Sequence, residues 1–351
     1  MRKKAVIIGA GALGLGFLAE RMALDYDLCL ADTSAKAEIL GQIPDHGGFT
    51  LNVCSLSRVW ARKVTGSFAV ALVDTSEGRS RLHHALQKAD LVFTATGRGL
   101  LDKVVASISP SMNGRSKKGW LLFGENGLNI AASYAPGFGP QTIVADTVMS
   151  RMCRFAGPQE GNYQPLWPGH KNSLVVEDYD LLPLDADRCS SGPFTSVFSM
   201  VTHGEFACWE DIKLFMHNGM HAFVSCNAFL EGIRSFPDTP SWIRDEARSI
   251  ALKEVVPAIV RTHSGVDPAW IQQYGLGLLE RFFNPFFNDS IDRGVRGIEE
   301  KLAPGERLLG GCEYIRRAGI EPSGYAKAVQ AAKEILSRTR GPKGQRNADY
   351  C

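Results

Sequence analysis

The first half of the chain alternates short apolar runs with longer segments of mixed polarity. The runs are four to six residues long, as buried strands are, and cover residues 5–8, 28–31, 91–96, 120–123 and 142–145. Residues 13–24 and 100–108 lie between such runs and have helical spacing. Strands that alternate with helices predict a parallel, doubly wound sheet with right-handed crossovers.

The pattern changes near residue 200. Residues 157–169 are rich in glycine, proline and glutamine and indicate a loop, whereas 173–184 and 195–201 resemble extra strands. From residue 211 a helical period dominates, over 211–235, 241–262, 267–282, 305–318 and 323–338. The prediction is therefore an α/β Rossmann domain with extra strands over residues 1–200 and an all-helical C-terminal domain over 201–351.

Composition narrows the possible partners. The formal net charge is only +2, which argues against a nucleic-acid binder. No stretch approaches the ~18 apolar residues of a membrane span, and no signal peptide is visible. The eight cysteines are scattered and form no C-x-x-C pair, as is usual for buried thiols in a reducing compartment. We expect a cytoplasmic protein that binds neither nucleic acid nor membrane.

A glycine-rich turn follows the first predicted strand. Gly9, Gly11 and Gly14 form a G-x-G-x-x-G that opens a helix, and Asp32 follows 23 positions after Gly9. This context is that of a dinucleotide fingerprint, in which the glycines allow a tight turn, close approach to the pyrophosphate and close helix packing. The helix N-terminus adds free N–H groups and partial positive charge. FAD or another nucleotide on the same fold, or a turn without ligand, is the alternative.

The acidic residue favours NAD as the cofactor. Asp32 ends the second strand, where a carboxylate accepts hydrogen bonds from both ribose hydroxyls and repels a 2′-phosphate. Lys36 lies nearby and would soften that preference. Thr96 and Gly97 end a later strand, at the sheet edge where ligands bind in open α/β folds, and are expected to approach the cofactor.

The helical half contains a polar face with reactive side chains. At 100° per residue, Lys213, His217, Asn218 and His221 fall within an arc of about 140°. A partly desolvated lysine has a lowered pKa and can act as a base near neutral pH, and an amide can stabilise an alkoxide. The two histidines are spaced as on a zinc-binding helix, but the glutamate of H-E-x-x-H and an adjacent cysteine are missing, so no metal is expected.

This face resembles that of the polyol-specific long-chain dehydrogenases, the mannitol dehydrogenase family. The signature Lys-x-x-x-x-Asn-x-x-His is present as Lys213, Asn218 and His221, and the similarity extends over nearly the whole chain. Further matching segments are Gly9 to Phe17, Glu125-Asn126, Arg281 to Arg296 with its Asn284-Pro285, Lys301-Leu302 and Arg307-Leu308. The resemblance implies NAD-dependent oxidation of a linear polyol or its phosphate by a monomer, with mannitol 1-phosphate and fructose 6-phosphate as the first candidates.

The resemblance also implies roles for individual residues. Lys213 would be the general base, Asn218 and Asn126 would stabilise the reacting oxygen, and His221 would place the substrate. Arg151, Arg293, Arg296 and Lys301 are the candidate substrate ligands, although the last three fit a solvated face equally well.

One position departs from the family pattern, because Ser150 stands where an aspartate often precedes the arginine. This leaves the identity of the polyol open. A free-polyol dehydrogenase or a hexuronate reductase is the alternative within the family, and a non-catalytic NAD-binding sensor is the alternative outside it.

Overall fold

The computed structural model describes residues 2–194 and 197–340. The chain divides into two compact units after Phe206, and each unit contains its own buried hydrophobic residues. Thr195, where one predicted strand begins, and Cys351 lie outside the described residues. Within the part of the chain described, no helix is both long and apolar enough to span a bilayer.

A six-stranded parallel sheet is the centre of the first unit. Its order is β5-β2-β1-β6-β7-β8, and all neighbouring strands run parallel. The strands of this unit are β1 (Lys3–Ile8), β2 (Tyr26–Asp32), β3 (Gly48–Cys54), β4 (Val59–Thr65), β5 (Ser67–Leu72), β6 (Leu91–Thr94), β7 (Gly119–Phe123), β8 (Thr142–Asp146), β9 (Cys153–Ala156), β10 (Ser173–Glu177), β11 (Pro183–Asp185) and β12 (Ser199–Val201). The predicted doubly wound sheet is confirmed, and its strand order reverses between β1 and β6, where such folds bind ligands.

Both faces of this sheet are buried, which explains the continuous apolar runs in the sequence. Ile7 and Phe93 point into one hydrophobic core, and Val6 and Val92 point into the other. The helical segments of this unit are the π-helix Gly14–Ala19, the α-helices Glu20–Met22, Ala37–Leu40, Ser76–Lys88, Leu101–Asn113, Ile130–Tyr134 and Ala186–Cys189, and the 3-10 turns Ser34–Lys36, Arg98–Leu100 and Ala135–Gly137.

Three strands between residues 48 and 72 are absent from the sequence prediction. β5 forms the edge of the parallel sheet, so its side chains stay half exposed and its apolar run is weak. β4 carries charged residues on an exposed surface and belongs to a second sheet of order β4-β3-β10-β9. The single strand predicted over 173–184 is wrong, because this segment contains β10 and then β11, which pairs with β12.

The second unit is helical, as predicted, and its described residues contain one extended pairing, the bridge Ser235–Ser290. Its helical segments are His203–Asp211, in which the boundary falls, Ile212–Asn218, Gly219–Leu230, Phe236–Asp238, Ser241–Ile250, Ala251–Val255, Val256–Thr262, Pro268–Phe282, Ile291–Val295, Ile298–Lys301, Leu309–Arg317 and Tyr325–Arg340.

The polar face lies on a helix that is not a regular α-helix. Ile212–Asn218 is a π-helix that continues into the α-helix Gly219–Leu230; together they are called the lysine helix below. The fully buried Tyr325 hydroxyl donates to the Phe215 carbonyl at 3.1 Å, inside the π segment. The 100° spacing assumed for Lys213 to Asn218 is therefore wrong, since a π-helix closes i→i+5 hydrogen bonds.

Candidate active site

The glycine turn of the first unit has the shape that a dinucleotide needs. Gly9 has φ +92°, and a Cβ there would lie 2.5 Å from the Ala95 carbonyl oxygen. A Cβ on Gly14 would lie 2.2 Å from the Gly9 carbonyl oxygen, whereas a Cβ on Gly11 would meet nothing within 4 Å. Gly9 and Gly14 are thus required by the local packing, and the space over Gly11 is open for a ligand group.

Acidic side chains line the ends of β2 and β5. Asp32 ends β2 and is partly exposed. Both the backbone N–H and the hydroxyl of Ser34 donate to Asp74, at 2.8 and 2.5 Å, which holds the turn after β2. The Lys36 ammonium lies 5.6 Å from the Phe155 ring centroid, so this lysine has an aromatic neighbour of its own. These ribose-side features agree with a preference for NAD.

A buried carboxylate organises the turn after β6. Glu125 accepts hydrogen bonds from the Thr94 hydroxyl at 2.6 Å and from the Thr96 backbone N–H at 3.0 Å. Gly97 follows with φ +87°, a backbone conformation that favours glycine. Asn126 comes directly after Glu125 at the end of β7, so the structure brings Thr96, Gly97 and Asn126 to neighbouring strand ends at one edge of the sheet.

Arg151 does not fit a direct role in substrate binding. Its side chain is 2% exposed and donates to the Glu177 carbonyl at 2.7 Å, the Gly16 carbonyl at 3.0 Å and the Glu20 carboxylate at 3.1 Å. A guanidinium used in this way holds the glycine-turn helix against β10 and is not available to a ligand. Ser150, the position that departs from the family pattern, is also buried.

The lysine helix concentrates positive charge around a buried imidazole. Lys213 is half-buried, and His217 and Asn218 are 3% and 8% exposed. Burial, and after it the charges of Lys213, Arg281 and Arg293, hold the pKa of His217 well below its usual range. His217 is therefore neutral near pH 7.

His221 is bound to a buried carboxylate and two aromatic rings. Its Nε2 lies 3.2 Å from Oδ2 of Asp289, which is completely buried. Its ring lies 4.4 Å from the Phe236 centroid and meets Phe282 edge to face at 5.2 Å. Asp289 also accepts from Arg293, whose Nε is 2.7 Å from Oδ1 and whose Nη2 donates to Oδ2. The structure thus joins the motif histidine to a candidate substrate arginine.

The other two predicted cations behave differently. Lys301 donates to the Gly294 carbonyl, and burial, followed by the charge of Arg307, lowers its pKa to about 8. Arg296 follows the helix Ile291–Val295 with ψ 143°, outside the helical range. Arg293 and Arg296 therefore do not share one helical face.

Each histidine of the lysine helix has protein side chains as neighbours. His217 packs edge to face on Phe282 at 5.5 Å, and His221 bonds Asp289. Across residues 2–194 and 197–340, no three His, Cys, Asp or Glu side chains converge so as to hold an ion.

Sequence reasoning missed two site residues, Asp289 and Arg281. Asp289 stands four residues before Arg293, the i,i+4 spacing of an ion pair, and lies in the segment Arg281 to Arg296 that matches the family. Nothing in the sequence around Arg281 indicates that its charge reaches His217, because that proximity depends on helix packing.

Comparison with known proteins gives relatives over almost the whole chain. No family model matches. The mannitol-1-phosphate 5-dehydrogenase of Exiguobacterium sibiricum is 25% identical over 94% of this chain and 84% of its own length, and that of Bacillus licheniformis is 22% identical over 94% and 87%.

Solved structures share the fold. Pseudomonas fluorescens mannitol 2-dehydrogenase, solved with NAD and D-mannitol, superposes with a TM-score of 0.72, at 14% identity, over 96% of this chain and 79% of its own. A D-sorbitol dehydrogenase superposes with a TM-score of 0.67, at 15% identity, over 96% and 81%.

The full-length relatives, the shared fold and the motif residues agree with one another. The Lys-x-x-x-x-Asn-x-x-His signature lies on one helix, beside the segment from Arg281 to Arg296 that carries the rest of the resemblance. This chain is therefore similar over almost its whole length to mannitol-1-phosphate 5-dehydrogenases, and it shares the fold of the solved mannitol 2-dehydrogenase.

Proposed function

We propose that this protein is an NAD-dependent oxidoreductase that oxidises a secondary CH–OH group of a linear polyol or polyol phosphate. The best candidates are mannitol 1-phosphate and its product fructose 6-phosphate. The observation that carries the proposal is the set of Lys213, Asn218 and His221 on the lysine helix, where His221 Nε2 lies 3.2 Å from the buried carboxylate of Asp289, which also accepts from Arg293. Such a cluster combines a candidate base with donors for hydroxyl and phosphate oxygens.

The first unit fits NAD. Gly9, Gly11 and Gly14 would hold the pyrophosphate, Asp32 the ribose, and Thr96 and Gly97 would approach further along the cofactor. The open space over Gly11 and the positive φ of Gly9 support this assignment. When bound, NAD supplies the hydride acceptor.

The residues of the lysine helix would manage one proton. We assign Lys213 Nζ as the base that removes the hydroxyl proton of the substrate. The amides of Asn218 and Asn126 would donate hydrogen bonds to the oxygen as its negative charge grows. His217 stays neutral because of burial and its cationic neighbours. It therefore carries no extra proton next to the proton transfer to Lys213.

Three cationic side chains of the helical unit favour a substrate that carries a phosphate. Arg293, Arg296 and Lys301 would bind the phosphate through charge-assisted hydrogen bonds. The two relatives named above are both mannitol-1-phosphate 5-dehydrogenases. Arg151 is left out of this set, because its guanidinium is used within the first unit.

A free polyol is the second candidate, and one observation favours it. Arg293 is already matched by the carboxylate of Asp289, which reduces the net positive charge offered to a phosphate. A paired arginine is well suited to a hydroxyl group, whose recognition needs direction more than charge. A purely NAD-sensing protein would have no use for Lys213.

The described cysteines support a reducing, cytoplasmic location. All seven are buried, and burial raises the pKa of Cys226 to about 12. We also expect a monomer, as the family resemblance implies.

A substrate panel tests the proposal. The wild-type protein is assayed with NAD and with mannitol, sorbitol, their 1- and 6-phosphates and hexuronates, and NADH is followed by its absorbance. We expect the highest kcat/KM for a hexitol phosphate, and Arg293→Ala should reduce it far more for the phosphate than for the free polyol. A higher kcat/KM for a free polyol would establish the second candidate, and no turnover of any member would refute the enzyme assignment.

A further inference from the structure

The strongest unassigned group of the helical unit is the buried carboxylate of Asp289. Its side chain is completely inaccessible to solvent. Its Oδ1 accepts from the Ser290 backbone N–H at 2.8 Å and from Arg293 Nε at 2.7 Å, and its Oδ2 faces Arg293 Nη2 and His221 Nε2. One carboxylate therefore joins the signature histidine of the lysine helix to an arginine 72 residues later in the chain.

The contacts determine the protonation of His221. A carboxylate can only accept, so the His221 nitrogen at 3.2 Å must carry a proton. Burial lowers the pKa of His221, and the neighbouring Asp289 opposes that effect only in part. The imidazole is thus neutral with its proton on Nε2, and Nδ1 is the acceptor nitrogen. Nδ1 lies 3.4 Å from the Ser225 hydroxyl, whose own proton is donated to the His221 carbonyl at 2.6 Å.

Close packing of the helix Ile291–Val295 on the lysine helix keeps Asp289 near His221. A Cβ on Gly294 would lie 2.0 Å from Ser225 Oγ and 3.3 Å from His221 Cε1, so only glycine lets the helix Ile291–Val295 approach the lysine helix so closely. Burial alone would raise the pKa of Asp289, but Arg293 and His221 outweigh it and hold that pKa well below its usual range. The carboxylate is ionised whenever the protein is folded near neutral pH.

We infer that Asp289 is the positioning residue of the substrate site, fixing the tautomer of His221 and the orientation of Arg293 at the same time. This inference rests on the proposed function, which identifies the substrate as a polyol. The contacts of Asp289 with His221 and Arg293 do not depend on that function. Arg293 remains one third exposed although Asp289 fixes its guanidinium. It can therefore bind a ligand without a further loss of side-chain conformational entropy. Asp289 itself touches no ligand and acts through these two side chains.

The substitution that tests it is Asp289→Asn, which preserves size and removes the charge. An asparagine offers one carbonyl oxygen. We expect that oxygen to face Arg293, because a charged guanidinium donates a stronger hydrogen bond than a neutral imidazole. The amide nitrogen then faces His221 Nε2, and the imidazole must move its proton to Nδ1 in order to accept. A role limited to stability would not require this change of tautomer.

The measurement is side-chain 15N NMR of histidine-labelled full-length protein, with His221 assigned from a His221→Gln spectrum. We expect the Nε2–H tautomer in the wild type and the Nδ1–H tautomer in Asp289→Asn. In steady-state kinetics the same variant should raise the KM for the polyol substrate by about tenfold or more, since hydrogen bonds to charged groups are involved, while the KM for NAD stays unchanged. Asp185→Asn is the matched control: it alters another buried aspartate that bonds a histidine, with His203 Nδ1 2.7 Å from Asp185 Oδ2, and should leave the polyol KM as it was.

Two results would overturn the inference. One is a wild-type His221 that is protonated on Nδ1. This tautomer is measured in the wild-type protein, so the test remains valid even if Asp289→Asn does not fold. The other is an Asp289→Asn protein whose polyol KM and NAD KM rise together, or do not rise at all. If the wild-type protein turns over no polyol, the proposed function fails, and the tautomer of His221 in the two proteins still decides the role of Asp289.

Discussion

The buried guanidinium of Arg151 allows a quantitative test of how the first unit is held together. The substitution Arg151→Met keeps most of the side-chain length and removes the charge. It leaves three acceptors without their donor: the Glu177 carbonyl, the Gly16 carbonyl and one oxygen of Glu20. The side chains of Arg151 and Glu20 are 2% and 6% exposed, so little water can replace the lost contacts.

The size of the effect follows from these contacts. Removing one partner of a buried ion pair costs about 3–5 kcal/mol. Glu20 keeps a second cation, because Arg62 Nη1 lies 2.5 Å from its other oxygen, so we expect the lower end, about 3 kcal/mol. For a unit of roughly 200 residues each kcal/mol shifts Tm by about 2–4 °C, which gives a decrease of roughly 6–12 °C.

Calorimetry and steady-state kinetics together provide the assay. Arg62→Met is the matched control, because it removes the 44% exposed partner of the same carboxylate and should cost no more than about 1 kcal/mol. The polyol KM of folded Arg151→Met should stay near the wild-type value. The reasoning is refuted if Arg151→Met melts like the wild type and its polyol KM rises tenfold or more, since Arg151 would then be a substrate ligand.

Three further predictions concern the chemistry. Lys213→Ala should lose about 10²–10⁴-fold in kcat while NAD binding, measured by calorimetric titration, persists; near wild-type turnover would exclude Lys213 as the base. Asp32→Ala should narrow the ratio of kcat/KM for NAD over NADP, because the carboxylate no longer repels a 2′-phosphate, and an unchanged ratio would contradict this. Burial, and next the Arg307 charge, lowers the pKa of Lys301 to about 8, so its positive charge is present below that pH and lost as the pH rises through it. The KM for a polyol phosphate should therefore increase above about pH 8 in wild type but not in Lys301→Met.

Short-range patterns were sufficient to predict the central sheet and the glycine turn. Buried parallel strands such as β1 and β6 are apolar on both faces, and this leaves a continuous run that is visible in one dimension. Gly9 and Gly14 are likewise fixed by local sterics, since a Cβ at either position would collide with neighbouring backbone. The edge strand β5 leaves no such run, because half of its surface faces solvent.

The motif residues were recognised individually, but their relationships were decided by packing. The sequence indicated Lys213, Asn218 and His221 as a set, but it did not indicate the π-helix Ile212–Asn218, inside which the Phe215 carbonyl accepts from Tyr325, more than 100 residues away. Arg151 was predicted as a substrate ligand from the family resemblance, and nothing near it along the chain shows that Glu20 packs against it.

By itself, then, the sequence determined what depends on neighbouring residues: the period of each element, the glycines of the nucleotide turn, and the residue types available for acid–base chemistry. The tertiary structure alone decided which charges meet. Asp289 shows the physical reason. A buried carboxylate needs donors, and one of them, His221 on the lysine helix 68 residues earlier, comes within hydrogen-bond distance of Asp289 only after the helices have packed.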